Sequence, residues 1–179
     1  MTRPARLLLA VAALSAGCAA HRSRGPMKVT ASVVRAGAQC GGDGSGPYAR
    51  WIATEGALRA AMGSGGVFGA EAPSPPIDFA REGVLAVYMG QRPTAGYGLA
   101  LHDPTVAIAG GVGTVVVRFE EPAPGAMVAQ VLTSPCLLLR LPREDLREVR
   151  VVDPAGAVRA VAPVRALPAE PAGPGRRTR

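Results

Sequence analysis

The sequence is poor in the side chains that carry most catalytic and metal-binding chemistry. Its 179 residues include two histidines, three cysteines and only 4% aromatic residues. His21 lies close to the N-terminus, which leaves His102 as the single histidine of the remaining chain. No two cysteines form a Cys-x-x-Cys pair, and the acidic residues follow no calcium-loop pattern. We therefore predict neither a metal site nor a cofactor.

The middle of the chain also lacks an excess of positive charge. The formal net charge is +7, but Arg3 and Arg6 lie in the first ten residues and three arginines occupy the last four positions. Between residues 40 and 165, eleven arginines accompany twelve acidic residues, so this region is close to neutral. Nucleic-acid binding depends on clustered cations that neutralise several phosphates. A nucleic-acid partner is therefore not expected.

Long apolar runs are missing too. The apolar stretch Leu7–Leu14 is much shorter than the ~20 residues that span a bilayer. It follows basic residues and precedes Leu14-Ser-Ala-Gly-Cys18, which resembles a bacterial lipobox although Ser15 stands where Leu is usual. This pattern is typical of a lipoprotein signal peptide over residues 1–17, with Cys18 as the site of lipidation, including palmitate.

The signal peptide also predicts a location. Ala19 is not acidic, which favours a lipid anchor in the outer membrane of a cell envelope, facing the periplasm or the surface. A secretory cleavage within residues 16–20, giving a secreted protein, is the alternative.

Two cysteines remain if Cys18 carries lipid. Cys40 and Cys136 form an even number of thiols in an oxidising compartment, which favours a disulfide bond between them. Two unpaired buried thiols are the alternative. Neither cysteine has a His and an acidic residue beside it in a catalytic arrangement.

The mature chain divides into a short tether at residues 18–27, a single β-rich domain at 28–162, and a disordered tail at 163–179 rich in Pro, Ala, Gly and Arg. Thr54 predicts the start of a short helix that ends near Gly63, with Trp51, Leu58 and Met62 at helical spacing. Short apolar runs broken by Gly and Pro predict strands at 28–35, 84–89, 98–101 with a continuation at 105–108, 114–119, 128–132, 136–141, 149–152 and 158–161. The expected fold is all-β, a small sandwich or barrel of about seven short strands with one short helix near the N-terminus of the domain.

Several segments resemble a known family. They are Ile77-Asp-Phe79, Val84-Leu-Ala-Val-Tyr-Met-Gly90, Arg92-Pro-Thr-Ala-Gly-Tyr97, and Leu132-Thr-Ser-Pro-Cys136 with the following Leu137 to Pro142. Their order and spacing over about residues 77–152 are similar to the C-terminal domain of the protease complex subunit PrcB family. Here Ala95 replaces the first Gly of a usual pair, and Cys136 stands where some members have Tyr. The resemblance implies an envelope lipoprotein that is an accessory subunit of a protease complex, not the protease.

A second likeness concerns single loops. Pro93-Thr-Ala-Gly-Tyr97 is similar to the first inhibitory loop of chagasin-type cysteine protease inhibitors, which are β-sandwiches, and Gly110-Gly-Val-Gly113 is similar to their glycine-rich second loop. Their third loop carries Arg-Pro-aromatic, whereas Thr133-Ser-Pro-Cys136 stands here. The third loop therefore lacks the aromatic residue of these inhibitors, which weakens the inhibitor hypothesis.

The same loops supply the candidate partner-binding residues, which are Arg92, Pro93, Thr94, Gly96, Tyr97, Thr133, Ser134 and Pro135. A rigid proline and a tyrosine suit contact with a protein partner. The alternative is purely structural: Pro93 and Gly96 form a turn, and Tyr97 packs on its neighbours.

No catalytic residue is predicted. Ser134 would need a base within hydrogen-bonding reach, and the adjacent His102 and Asp103 on a strand point to opposite faces. We expect a non-enzymatic envelope lipoprotein that binds a protein partner, with a protease as the partner that the resemblance suggests. A chagasin-like protease inhibitor and a purely structural envelope protein are the alternatives.

Overall fold

The computed structural model describes residues 25–41, 44, 46–62 and 76–165. The signal peptide, Cys18, most of the tether and residues 166–179 of the tail lie outside them. The elements in chain order are β1 (Met27–Thr30), β2 (Ser32–Gly37), β3 (Tyr48–Ile52), α1 (Glu55–Met62), β4 (Glu82–Tyr88), β5 (Gly98–Ala109), β6 (Val112–Glu120), β7 (Cys136–Pro142), β8 (Glu148–Val152) and β9 (Val158–Pro163). The strands therefore extend one residue beyond each end of the predicted 28–162 domain.

These strands form two sheets. One sheet has the order β1-β5-β6-β8-β9 and the other the order β2-β7-β4-β3. All neighbouring strands are antiparallel except β6 and β8, which are parallel because the chain passes through β7 in the other sheet between them. The all-β prediction is confirmed in its sandwich form, with nine strands rather than about seven and with two open sheets instead of a closed barrel.

The centre of the smaller sheet is buried on both faces. Leu85 and Val87 of β4 point towards the larger sheet, and Val84 and Ala86 point the other way; all four are fully buried. Strand β7 follows the same rule, which explains why both strands read as continuous apolar runs instead of alternating ones. The smaller sheet is thus the middle layer of the molecule.

Helix α1 covers part of the outer face of this sheet. Thr54 caps it, since the Ala57 backbone N–H donates to Thr54 Oγ1 at 3.2 Å. Leu58 and Met62 contact the apolar residues that β4 and β7 present outwards. The helix predicted after Thr54 is confirmed, but Trp51 is not part of it.

Trp51 lies instead in β3, a strand that the sequence analysis missed. The residue pairs with Leu85 of β4, so its side chain faces the inter-sheet core. The indole ring occupies the space where a side chain at Gly83 would lie. The helical interpretation of Trp51 was wrong because its spacing to Leu58 and Met62 also suits a strand followed by a helix.

Two other strand predictions were wrong. Residues 28–35 form two strands in different sheets, β1 and β2, because the chain changes sheet at the buried Ala31, whose N–H donates to Pro104 O at 2.7 Å. The alternating pattern continues through the change, so the sequence carries no sign of it. Residues 128–132 form no strand, since their neighbour is the irregular segment around Ala95 rather than a sheet edge.

The sandwich has two distinct ends. We call one the loop end, where the connections after β2, β4, β6 and β8 meet. We call the other the hairpin end, which holds Met27, the β5–β6 turn at Gly110 and Gly111, and Pro163. The chain therefore enters and leaves the described domain at the hairpin end.

Candidate functional site

The two segments predicted to bind a partner lie side by side at the loop end. Arg92 N–H donates to Thr133 O at 2.8 Å, and Thr133 N–H donates to Arg92 O at 2.9 Å. This reciprocal pair is one rung of an antiparallel ladder, although neither residue belongs to a sheet strand. The structure thus brings together segments that are about forty positions apart in the sequence.

A third segment joins them from the end of β2. Ser134 N–H donates to Ala38 O at 2.8 Å, and Cys40 N–H donates to Ser134 O at 3.1 Å. The predicted disulfide is present beside this bridge, with 5.8 Å between the Cα atoms of Cys40 and Cys136. Backbone hydrogen bonds and one covalent bond therefore hold the segments as a single unit.

The polar side chain of Thr133 faces inwards. Thr133 is only 4% exposed, and its Oγ1 donates to Thr94 O at 3.0 Å. Pro135 is also buried, and its carbonyl accepts from Met89 N–H at 2.9 Å. These two candidate residues are therefore placed to support the loops instead of touching a partner.

Arg92 and Tyr97 are half-buried and contribute to the same support. Arg92 Nη2 donates to Met89 O at 2.8 Å, and its Cζ lies 5.8 Å from the centre of the Tyr97 ring. Tyr97 itself packs against the inter-sheet core. Gly96 has a φ of 91°, a conformation that favours glycine. The structural role considered for this loop is therefore present in the molecule.

Pro93 carries the one exposed side chain among residues 92–97. Next to the loop lie three exposed apolar side chains that the sequence analysis did not select: Met127 at 102%, Val131 at 47% and Leu132 at 65% exposure. We call residues 127–132 the apolar loop. Its position beside Pro93 is fixed by the bond from Ala95 N–H to Ala129 O, 2.9 Å long. A run of apolar residues between two proline-containing turns was the available signal, but the same run also predicts a strand.

No catalytic group is assembled around Ser134 within the described residues. His102 Nδ1 lies 3.2 Å from Arg118 Nη2. Asp103 Oδ1 accepts a hydrogen bond from Thr105 N–H at 2.7 Å. This bond, and a second one from the Thr105 hydroxyl, lower the pKa of the Asp103 carboxyl. Neither residue is hydrogen-bonded to Ser134. The three side chains thus serve separate parts of the sandwich.

The glycine-rich segment Gly110–Gly113 lies at the hairpin end, since Gly113 pairs with Ile108 and Ile108 with Met27. Pro93 and Tyr97 lie at the opposite end. A chagasin-type inhibitor needs its inhibitory loops at the same end of the sandwich. In this chain the two loops similar to them lie at opposite ends.

The comparison with protein families agrees with the resemblance seen in the sequence. Residues 84–142 match the family model described as PrcB C-terminal. This part of the chain is similar to a PrcB C-terminal domain. The matched part runs from β4 to β7 and so contains the whole of the Arg92–Tyr97 loop, the apolar loop and Cys136. Neither the curated proteins nor the solved structures gave a match.

Two further observations concern the part of the chain that the structure describes. No helix in it is both long and apolar enough to cross a membrane. Within the same residues, no three His, Cys, Asp or Glu side chains are grouped so that they could hold a metal ion.

Proposed function

We propose that the protein is an envelope lipoprotein, anchored through Cys18, that acts as a non-catalytic accessory subunit of a protease complex. The PrcB C-terminal family suggests a role in association with such a complex. The lipobox-like sequence before Cys18 supports the anchor, and Ala19 supports placement in the outer membrane.

One structural observation carries the binding part of the proposal. The loop end joins three chain segments by the Arg92–Thr133 and Ser134–Ala38 backbone bonds and by the Cys40–Cys136 disulfide. A loop surface that is already ordered binds a partner without losing much conformational entropy. The loop end therefore suits recognition of a protein.

The polar groups of the same region support a non-catalytic role. The Thr133 hydroxyl donates to Thr94 O, and the backbone groups of Ser134 bridge to the end of β2. A nucleophilic serine needs a base that is oriented by a third group. The groups at the loop end are used instead for holding its shape.

The test is purification of the full-length protein from its native envelope in mild detergent. We expect a protease to be recovered in a fixed ratio, and its peptidase activity to be equal or higher with the subunit than without it. Absence of any protease would contradict the accessory role and favour a purely structural protein. Stoichiometric inhibition of the protease would favour an inhibitor.

The anchor is tested separately by metabolic labelling with radioactive palmitate. The wild-type protein should take up label, and Cys18→Ser should not. Labelling that persists in Cys18→Ser would contradict lipidation at this cysteine, and an unlabelled wild type would favour the secreted form.

A further inference from the structure

We propose that the apolar loop, residues 127–132, is the anchor through which the domain docks an apolar groove of a protein partner standing away from the membrane. This inference rests on the proposed function and specifies its contact surface. It differs from the predicted contact set, because two of those residues, Thr133 and Pro135, are buried.

Exposure and order coincide in this loop. Met127, Val131 and Leu132 expose 102%, 47% and 65% of their surface. The backbone on which they stand is fixed, since Ala129 O accepts from Ala95 N–H and Leu132 O accepts from Gln39 Nε2 at 2.8 Å. Apolar side chains on a fixed backbone lose little entropy when they enter a partner's pocket.

The topology places the loop far from the entry of the chain. Met27 begins β1 at the hairpin end, and the chain reaches the loop end only at Gly37, after β1 and β2. At about 3.3 Å per residue, this path of eleven residues covers roughly 30–35 Å. Because the chain enters at the hairpin end, a lipid on Cys18 would leave the apolar loop able to reach farther from the bilayer than the hairpin end.

The charges around the loop favour a protein over a lipid surface. From Phe119 to Cys136 the sequence contains Glu120 and Glu121 and no lysine or arginine. Segments that insert into anionic membranes carry basic residues beside their apolar ones, whereas carboxylates are repelled. Glu120 Oε1 already lies 3.8 Å from Arg118 Nη1, so the carboxylate that suits a basic residue at the edge of a partner's groove is that of Glu121.

The first experiment compares two sets of serine substitutions in the full-length lipoprotein. One variant carries Met127→Ser, Val131→Ser and Leu132→Ser. The matched control carries Met27→Ser and Val161→Ser, which replace side chains of 40% and 45% exposure on β1 and β9, away from the loop end. We expect at least about a tenfold loss of affinity for the co-purified protease complex in the first variant and less than about twofold in the control. Thermal melting of both variants checks that they remain folded.

If the first variant retains the complex within about twofold, the apolar loop is not the anchor, although the proposed function still stands. Absence of a complex with the wild-type protein would instead overturn the proposed function. Should the triple substitution unfold the domain, the single variant Leu132→Ser replaces it, with an expected loss of at least about threefold.

The second experiment distinguishes a protein from a membrane. A photo-crosslinking amino acid replaces Met127, or Val161 as the control, in full-length protein in its native envelope. We expect an adduct between position 127 and a subunit of the complex that co-purifies with the wild type, and none from position 161. Adducts with phospholipid from position 127, or equal protein adducts from both positions, would overturn the proposal.

Discussion

Gly90 is the position where an added methyl group should do most damage to the loop end. It follows β4, has a φ of 81° and lies against the segment that leads into β3. A Cβ there would stand 2.8 Å from Gly44 O, 2.8 Å from Gly46 O and 2.9 Å from Gly46 N. All three neighbours are backbone atoms, which cannot turn aside as a flexible side chain can.

The cost of Gly90→Ala has two parts. Alanine in a left-handed conformation costs about 1–2 kcal/mol, and the reduced freedom of the unfolded chain returns about 0.4–1 kcal/mol. Forcing the methyl group into occupied space adds roughly 1–3 kcal/mol, as overpacking does elsewhere. We therefore expect the free energy of unfolding to fall by roughly 1–5 kcal/mol.

Gly156 provides a matched control for the cost of the left-handed conformation alone. Its φ is 85°, and nothing lies within 4 Å of an added Cβ. Gly156→Ala should therefore lower the free energy of unfolding by only about 0–1.6 kcal/mol, which is roughly 1–3 kcal/mol less than Gly90→Ala.

Urea unfolding of both variants with the disulfide intact measures the two values under the same conditions. Equal losses in the two variants would refute the argument, because the close approach of Gly44 and Gly46 would then contribute nothing. A loss confined to Gly90→Ala and accompanied by weaker complex formation would further show that the segment before β3 helps to shape the loop end.

Three other predictions concern the same structure. Thr133→Val should lower the free energy of unfolding by about 1 kcal/mol in urea, because the buried hydrogen bond from its Oγ1 is lost; an unchanged value would contradict that role. Replacing Cys40 and Cys136 by Ala should cost up to about 4.7 kcal/mol, measured by unfolding under non-reducing conditions, with the reduced wild type as the control. The hydrogen bond from Ala157 N–H is the largest cause that lowers the pKa of Asp153 below its ordinary value. The Asp153 carboxylate therefore contributes fully to stability near neutral pH, and this contribution is lost as the pH falls below about 3.9. The difference in melting temperature between the wild type and Asp153→Asn should therefore be largest above pH 5 and shrink towards pH 2.5; a constant difference would contradict the assignment.

The sequence predicted the features that depend on local composition. Strands β4 and β7 were evident as apolar runs because both their faces are buried, and the turn at Asp153 joined two strands as expected. The disulfide followed from the count of cysteines together with the expectation of an oxidising compartment. These features require no knowledge of which strands are neighbours in space.

The missed features depend on such neighbours. The change of sheet at Ala31 leaves the alternating pattern intact, and Trp51 fits a helix as well as a strand until its contact with Gly83 is known. The apolar loop has the composition of a strand but no sheet edge to pair with. Its exposure is therefore a tertiary property, and it was absent from the predicted binding residues for that reason.

The position of the disulfide links the family-matched part of the chain to the residues before it. Cys136 begins β7 within the matched residues 84–142, whereas Cys40 follows β2 outside them. Strands β1 and β2 run from Met27 at the hairpin end to Gly37 at the loop end, three residues before Cys40. Because β2 also pairs with β7 along most of its length, this N-terminal segment forms a continuous connection between the two ends. In an anchored protein, tension between the lipid and a bound partner would therefore pass along the pairing of β2 with β7 and through a covalent bond. The matched strands would not bear that load alone.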